Sequence, residues 1–393
     1  MNKLLVLTTR YIHNYDFVGA TYIYDQVEQL RHHFKEVVVI AYRPLIPQWL
    51  LPLLPYKRRR DFLARDYEYE NVKVVFCRNF IVPLPFIKRN WSIRGYKKTI
   101  KILNEISFHP EIIHVHRTWP TGEIAFYLSK YYKIQYVLTA HGYDAYGLPS
   151  KNRYYKQTIE KILLSAKKVI SVSKANIKKM QDIMDIPNYL FEFIPNGFDS
   201  TLFQMNSRRD SRHKLGIPYR SKVFLSVGFL YKVKGYDFLI KAIKILVEKK
   251  RYSDIILYIV GDGQEYGKLI NLIDKLDLKN HVILVGSVKH EEIPIWMNSS
   301  DYFVMSSLIE GMPTVMFEAL SCGKPFIGTN VGGIPEIIVD SKLGTLVPPK
   351  NTEKLAVALE KALQTKWNSK YISSLAQKHS WQNICKKILE IYK

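Results

Sequence analysis

The sequence predicts an α/β protein of two Rossmann-like domains, each a doubly wound parallel sheet, facing one another across a cleft. Three observations predict it. Short apolar segments, often β-branched, alternate with helical patterns almost from end to end. These segments are continuously rather than alternately apolar, as strands covered on both faces must be. The alternation breaks once near the middle and then restarts, which is how two such domains in series read.

LLVL (4–7) opens the chain. In YIYDQVEQLRHHF, Ile23, Val27, Leu30 and Phe34 then recur at i, i+4, i+7 and i+11, and VVVIA (37–41) follows, a βαβ start. VKVVF (72–76), IIHV (112–115), YVLTA (136–140) and KVISVS (168–173) are the further strands of the first half. FIPNGFDSTLFQMNSRRDSRHKLGIP (193–218) is polar, basic and punctuated by Gly and Pro, and reads as the linker. KVFLSVG (222–228), IILYIVG (255–261), HVILVG (281–286), DYFVMS (301–306) and KPFIGT (324–329) supply the second sheet. No internal repeat of solenoid period is visible.

At 393 residues the chain is too long for one ordinary core, and 47% hydrophobic with 24% charged residues is the composition of a folded protein. Cys77, Cys322 and Cys385 show no metal-ligand or disulfide spacing, which suits a reducing compartment. MNKLLVLTTRY is too short for a signal-peptide core and no apolar run reaches spanning length, so a cytoplasmic location is expected. The net charge of +23 attracts polyanions of any kind. No helix-turn-helix, zinc-finger or RNP pattern accompanies it, so no nucleic-acid partner is expected.

The segment PLIPQWLLPLLPYKRRR (44–60) stands apart, with Trp49 and several leucines among four prolines, then Lys57, Arg58, Arg59 and Arg60. The prolines forbid a spanning helix. Two readings stand: peripheral contact with an anionic membrane face, or a long loop folded over the first domain with its charges solvated.

In doubly wound sheets, ligands bind beyond the carboxyl ends of the strands. Polar and glycine residues gather at those places: Gly19 after the first strand, Arg117 after IIHVH, and His141, Gly142, Tyr143 and Asp144 after YVLTA. The second half repeats this with Lys234 and Gly235, Gly261-Asp262-Gly263, Gly286, and Glu310-Gly311.

EGMPTVMFE (310–318) carries the sharpest signal. Pro313 suits a first helical position and VMFEALSC runs on to Gly323 and Pro325, a Gly-then-Pro stop. Val315, Met316, Phe317, Ala319 and Leu320 leave no polar face, so Glu318 sits inside a buried helix and needs a partner. That partner is a backbone N–H or a lysine in one reading, a pair of ribose hydroxyls in the other. Glu310 precedes the helix, where Gly311, Met312 and Thr314 offer N–H groups to an anion or sugar. Lys234 is either a solvated lysine or a cation for a diphosphate.

GDGQEYG (261–267) fails the dinucleotide fingerprint, because Tyr266 holds the third glycine's place. His114 and His116 share a strand face without a clear third ligand, so they read as core or cleft residues and no metal site is expected. Asn298-Ser299-Ser300 fits a glycosylation pattern that a cytoplasmic chain would not use.

The ordered set of a glycine loop ending at Gly19, IIHVH, LTAHGYD, FIPNGFD, SVG with YKVKG, IVGDG, VGSV, EGMPTVMFE, ALSCGKP and TNVGGIPE resembles the family 4, or group 1, glycosyltransferases. These are retaining, nucleotide-sugar-dependent enzymes of the GT-B fold, and the resemblance covers nearly the whole length. The long loop after the first βα unit is most similar to members that build bacterial surface polysaccharides, such as teichuronic acid transferases.

The resemblance implies a first, acceptor-side domain over residues 1–200, a nucleotide-sugar-binding domain over 201–377, and a last helix, 378–393, returning to the first domain. It implies that Glu310 contacts the transferred sugar, Glu318 the ribose and Lys234 the diphosphate. Gly311, Met312, Pro313, Thr314, Gly228, Gly261, Gly263, Gly286 and Val288 would surround the donor. His141 would face the donor sugar, with Gly19, Arg117 and Asp144 on the acceptor side. The reaction implied is metal-independent hexose transfer, with retention, from a UDP- or GDP-linked sugar to a lipid-linked or glycan acceptor. It uses no cofactor beyond that donor; a cytoplasmic enzyme is expected, on the inner face of the plasma membrane if the segment 44–60 meets lipid. Members commonly carry arginine where this chain has Phe229, two residues before Tyr231. That departure leaves open a non-catalytic sugar- or nucleotide-binding protein on the same fold.

Overall fold

The computed structural model describes residues 1–12, 21–45, 64–80, 91–249 and 252–393. Gly19, Trp49, Lys57, Arg58, Arg59 and Arg60 lie outside the described residues. The chain divides into two compact units, Met1–Pro195 with Ile384–Lys393, and Asn196–Asn383.

In the first unit the strands are β1 (Lys3–Thr8), β2 (Glu36–Leu45), β3 (Tyr67–Tyr69), β4 (Val72–Phe80), β5 (Ile112–His116), β6 (Tyr136–Ala140), β7 (Lys168–Ser171) and β8 (Phe191–Phe193). Their order is β3-β4-β2-β1-β5-β6-β7-β8. From β4 to β8 every pairing is parallel, and β6 is buried along its whole length, as the continuous apolar runs require.

The sequence reading needs three corrections here. Strands β3 and β8 were not expected, because YEY and FEF are too short and too polar in the middle to stand out from loop. Strand β3 also runs antiparallel to β4. The tight turn at Glu70, in the left-handed region at φ 50°, leaves no length for a crossover. Third, β2 continues through Pro44 and Leu45, which pair with Asn79 and Phe80, so the proline-rich segment begins inside a strand.

The second unit contains β9 (Lys222–Val227), β10 (Ile255–Val260), β11 (Val282–Gly286), β12 (Tyr302–Met305), β13 (Phe326–Thr329) and β14 (Gly344–Val347). They form an all-parallel sheet in the order β11-β10-β9-β12-β13-β14. Strand β14 was also missed. It starts at Gly344, where a Cβ would lie 1.8 Å from the Phe326 carbonyl oxygen, so the pairing needs a residue without a side chain.

Residues 196–218 are not a linker but part of this second unit. Phe198 and Phe203 are fully buried, each worth about 1.5–3 kcal/mol of apolar transfer. The helix Arg208–Leu215 buries Arg212, whose guanidinium donates to Asp301 Oδ2 at 2.8 Å and to the carbonyls of Ser299, Tyr219 and Ser221. A basic, polar segment reads as linker only while the one carboxylate that anchors it, Asp301, is far off in sequence. The last helix, Trp381–Tyr392, ends in the first unit, where Ile384 and Ile388 are buried and Lys167 Nζ donates to the Tyr392 carbonyl at 3.2 Å.

Each sheet has a point where the winding reverses. From β1 the chain winds outward through β2 to β4, then starts again on the other side of β1 with β5; from β9 it winds to β11, then restarts beside β9 with β12. The carboxyl ends of β1 and β5, and of β9 and β12, are therefore the places where a doubly wound sheet opens a ligand crevice.

Candidate active site

At the β9–β12 switch point two strand-end loops are stitched together. The Leu308 N–H donates to the Val233 carbonyl at 2.7 Å and Ser306 Oγ to the Lys234 carbonyl at 3.0 Å. Gly235, at φ 62°, allows this approach: a Cβ there would lie 2.4 Å from the Ser306 oxygen. The stitching brings Lys234 Nζ to 2.6 Å from Glu310 Oε1, with the two side chains 21% and 11% exposed. Ser307 Oγ donates to the same carboxylate oxygen at 2.7 Å. Below the pair, burial pushes the Tyr236 hydroxyl well up; a hydrogen bond with Ser226 opposes this and the Glu310 charge adds to it. That hydroxyl therefore stays protonated.

Glu310 leads into the helix Thr314–Ser321, whose N-terminus at Pro313 carries no side-chain cap. Pro313 is not the first helical residue, as expected from sequence, but the extended residue before it, at ψ 119°. The loop is fixed from below, with the Gly333 N–H donating to the Gly311 carbonyl at 2.7 Å and Asn196 Nδ2 to the Met312 carbonyl at 3.1 Å. Met312 and Pro313 are buried, Gly311 and Thr314 half-buried. Glu318 lies inside the helix at 7% exposure, among Met316, Phe317, Ala319 and Leu320.

The neighbouring strand ends bring the predicted glycines together. Gly228 donates to the Val260 carbonyl at 3.0 Å and Gly261 to that of Gly286 at 2.8 Å. A Cβ on Gly261 would lie 1.9 Å from the Gly228 oxygen, and one on Gly263 2.5 Å from that of Leu230. Close backbone approach is thus reason enough for both glycines. Val288 is half-buried beyond β11. Phe229, 40% exposed, stacks on Tyr231 with ring centroids 5.5 Å apart and planes 16° apart.

In the first unit the switch point is built on imidazoles. Strand β5 ends in His114 and His116, both buried, and β6 delivers His141. The three rings form a column: His114 to His116 at 4.7 Å and 16°, His116 to His141 at 5.3 Å and 17°. His116 Nδ1 lies 3.1 Å from His141 Nε2. His114 bonds the Tyr392 hydroxyl through Nδ1 and Thr139 Oγ1, at 2.7 Å, through Nε2. Burial pulls the pKa of His114 down to about 3; burial, then the charges of Arg117 and His114, bring that of His141 to about 3. His116 falls well below its ordinary value for the same reasons.

Arg117 follows β5 at φ 78°, a strained conformation for a residue with a side chain. Asp144 is buried and accepts from the Thr118 N–H at 3.0 Å. Burial raises its pKa, while Arg117 and that N–H act the other way. Among the described residues no group of three or more His, Cys, Asp or Glu could hold a metal ion. The three cysteines are free and buried.

Sequence reasoning placed Lys234 and Glu310 at strand ends and Glu318 inside a buried helix, but could not pair the first two, which lie 76 positions apart. It passed over His116 as a site residue, and missed Tyr22 and Tyr392. The ring of Tyr22 lies 4.9 Å from that of His141. The HVH pattern was the available signal for His116, since alternate strand residues share a face.

Two doubly wound parallel-sheet units with polar residues collected at their switch points are the architecture of the GT-B fold. The model of the group 1 glycosyl transferases matches residues 207–379 and that of glycosyltransferase family 4 matches residues 19–202. A Bacillus subtilis glycosyltransferase provisionally assigned to teichuronic acid biosynthesis is 27% identical over 362 residues, covering 91% of this chain and 88% of its own. Among solved structures, sucrose-phosphate synthase from Thermosynechococcus elongatus superposes with a TM-score of 0.76 at 19% identity, over 99% of this chain and 98% of its own. HepE of Anabaena, in complex with UDP, does so at 0.75 and 20%, with the same coverage. The chain belongs to the family 4 (group 1) glycosyltransferases.

Proposed function

We propose that the protein transfers a hexose, with retention and without a metal, from a UDP- or GDP-linked sugar to a lipid-linked or polysaccharide acceptor in cell-surface glycan assembly. The observation that carries this reading is the Lys234–Glu310 pair, held at the β9–β12 switch point beside an uncapped helix N-terminus. A diphosphate suits the ammonium and the helix-end N–H groups. Glu310 and Glu318 are acceptors for the hydroxyls of the sugar and the ribose. Donor binding thus replaces one internal ion pair by two sets of ligand contacts. The UDP in the HepE complex supports the nucleotide, and the role assigned to the Bacillus relative supports the acceptor class.

In the proposed reaction the acceptor oxygen attacks the anomeric carbon on the face from which the diphosphate departs. The C–O bond electrons go to the diphosphate oxygen, which also takes the acceptor proton. Lys234 and the N–H groups meet the negative charge that develops there. His141 faces the sugar and positions it.

A panel of UDP-, GDP- and ADP-sugars with acceptor extract tests this. Wild type should release nucleotide from at least one donor, and Glu310→Ala and Lys234→Ala should not. Equal background release by all three proteins would overturn it. Phe229 favours the second reading, a non-catalytic binding protein, which predicts nucleotide-sugar binding without any turnover.

The apolar and basic segment 44–60 supports peripheral attachment to an anionic membrane face at the cytoplasmic side. No helix among the described residues is long and apolar enough to cross a membrane. Binding to anionic vesicles should weaken with salt and on changing Lys57, Arg58, Arg59 and Arg60 to glutamate. Unchanged co-sedimentation of that variant would remove the membrane reading.

A further inference from the structure

We infer that His116 is a positioning residue that fixes His141 as the neutral Nδ1–H tautomer, so that His141 donates a hydrogen bond and does not act as a general base. A bond between His116 Nδ1 and His141 Nε2, 3.1 Å apart, needs one donor and one acceptor. The other nitrogen of His116, Nε2, is buried without a hydrogen-bond partner among the described residues. Were the His116 proton on Nε2, the protein would bury an orphan N–H, which is costlier and rarer than an orphan lone pair. The proton therefore sits on Nδ1 and points at His141. His141 Nε2 accepts it, and the single proton of the neutral His141 ring is on Nδ1.

The column then resists charging. To protonate His141 at Nε2, His116 would have to move its own proton to the unpartnered Nε2. The groups around the pair do not help: Arg117 adds positive charge, and His114 is engaged by Tyr392 and Thr139. Asp144, the carboxylate here among the described residues, is held by the Thr118 N–H and by the charge of Arg117. The Tyr22 ring packs on His141 with centroids 4.9 Å apart. With Nε2 occupied and Nδ1 protonated, His141 has no lone pair left for a substrate proton. Its remaining chemistry is to hydrogen-bond an oxygen. The assignment of that oxygen to the transferred sugar rests on the proposed function; the tautomer does not.

Two-bond 1H–15N correlation spectra of the full-length protein labelled with 15N-histidine test the tautomer directly. The His141 ring is assigned from the signals lost in His141→Asn. Wild type should show His141 as the Nδ1–H form, unchanged from pH 7.5 to pH 5.5. In His116→Phe, which keeps a flat buried ring, the Nε2 signal should move to a mixture of forms and begin to titrate. His116→Asn, whose amide N–H replaces the Nδ1–H, should restore the wild-type pattern. A protonated Nε2 in wild type, or an unchanged His141 in His116→Phe, would overturn the proposal.

Turnover separates this from the proposed function. With an active donor, His116→Phe should lower kcat by roughly tenfold or more with little change in donor KM, and His116→Asn should recover most of it. Absence of turnover from every donor would count against the proposed function alone, since the spectra need no substrate.

Discussion

At the switch point of the second unit the side chains are charged: Lys234 and Glu310 pair at 2.6 Å and remain partly open to solvent. At that of the first unit the side chains are mainly neutral and deeper, three stacked imidazoles of which two are fully buried, with Arg117 and Asp144 beside them. The topology of the two sheets is the same at these points, so it fixes where polar residues collect but not what they are. Burial decides the chemistry. A charge pair survives near the surface, where water and a ligand can take over either partner. Deeper in, an imidazole loses its charge and keeps only its directional hydrogen bonds. The second unit keeps a partly exposed ion pair, the first a fixed geometry.

The largest effect should come from breaking the charged side. Lys234→Ala should lower transfer by about 10²–10³-fold, the usual loss when a donor to a developing anion is removed. Stability should also fall, by about 1–3 kcal/mol, because Glu310 is left half-buried with only Ser307. Lys234→Met keeps the stem and loses the charge, and should be as inactive. Full activity in either variant, measured by nucleotide release, would remove the distinction between the two switch points.

Acid should break the neutral side instead. His114 and His141 sit at about 3 in the folded state, against an ordinary value of 6.5. Below about pH 6.5 the unfolded chain binds protons that the folded one refuses. The stability these rings contribute is complete above that pH and declines as the pH falls toward 3. The slope is about 1.4 kcal/mol per pH unit for each histidine. Hydrogen exchange at pH 7 and pH 5 should therefore show amides of β5 and β6 losing protection before those of β9 and β12. Equal loss in both units would mean the histidines are not buried neutral.

How much of this was legible follows the same division. Continuous apolar runs gave eleven strands and both parallel sheets, because burial on two faces leaves a pattern in any short window. The short edge strands β3 and β8 and the Gly-led β14 escaped, since tertiary pairing and not local composition makes them strands. Residues 196–218 were misread for a related reason: Arg212 is buried only because Asp301 is there to receive it. In the site, Glu318 stood out as a carboxylate inside an apolar helix, whereas the pairing of Lys234 with Glu310 depends on β12 lying next to β9. The histidine column needed β5 and β6 side by side, and its Tyr392 partner comes from the far end of the chain.

A smaller effect probes how the neutral column is held. Tyr392→Phe removes the hydroxyl that meets His114 Nδ1, leaving Gln26 Nε2 at 3.4 Å as the remaining contact. The loss should be about 1 kcal/mol, the net worth of one such hydrogen bond, read as a lower urea midpoint with unchanged m-value. Activity should hardly change, because His114 is stacked on His116 but hydrogen-bonded to neither His116 nor His141. A large loss of kcat would show that the column acts as one relay and not as separate supports.

The smallest effect, Phe229→Arg, asks whether the charged side is as charged as it could be. Phe229 is exposed and stacked on Tyr231 in the loop that carries Lys234, so the substitution costs little packing. On the proposed function, an added guanidinium there would share the diphosphate with Lys234 and lessen the dependence on one cation. Exposure limits the gain to roughly 1 kcal/mol or less, a few-fold lower donor KM at low salt that fades as ionic strength rises. The same change should lessen the loss caused by Lys234→Ala, since two cations serving one anion are not independent. If donor KM rises instead, the Phe229–Tyr231 stack itself contacts the donor, and this chain holds through aromatic surface what an added charge does not improve.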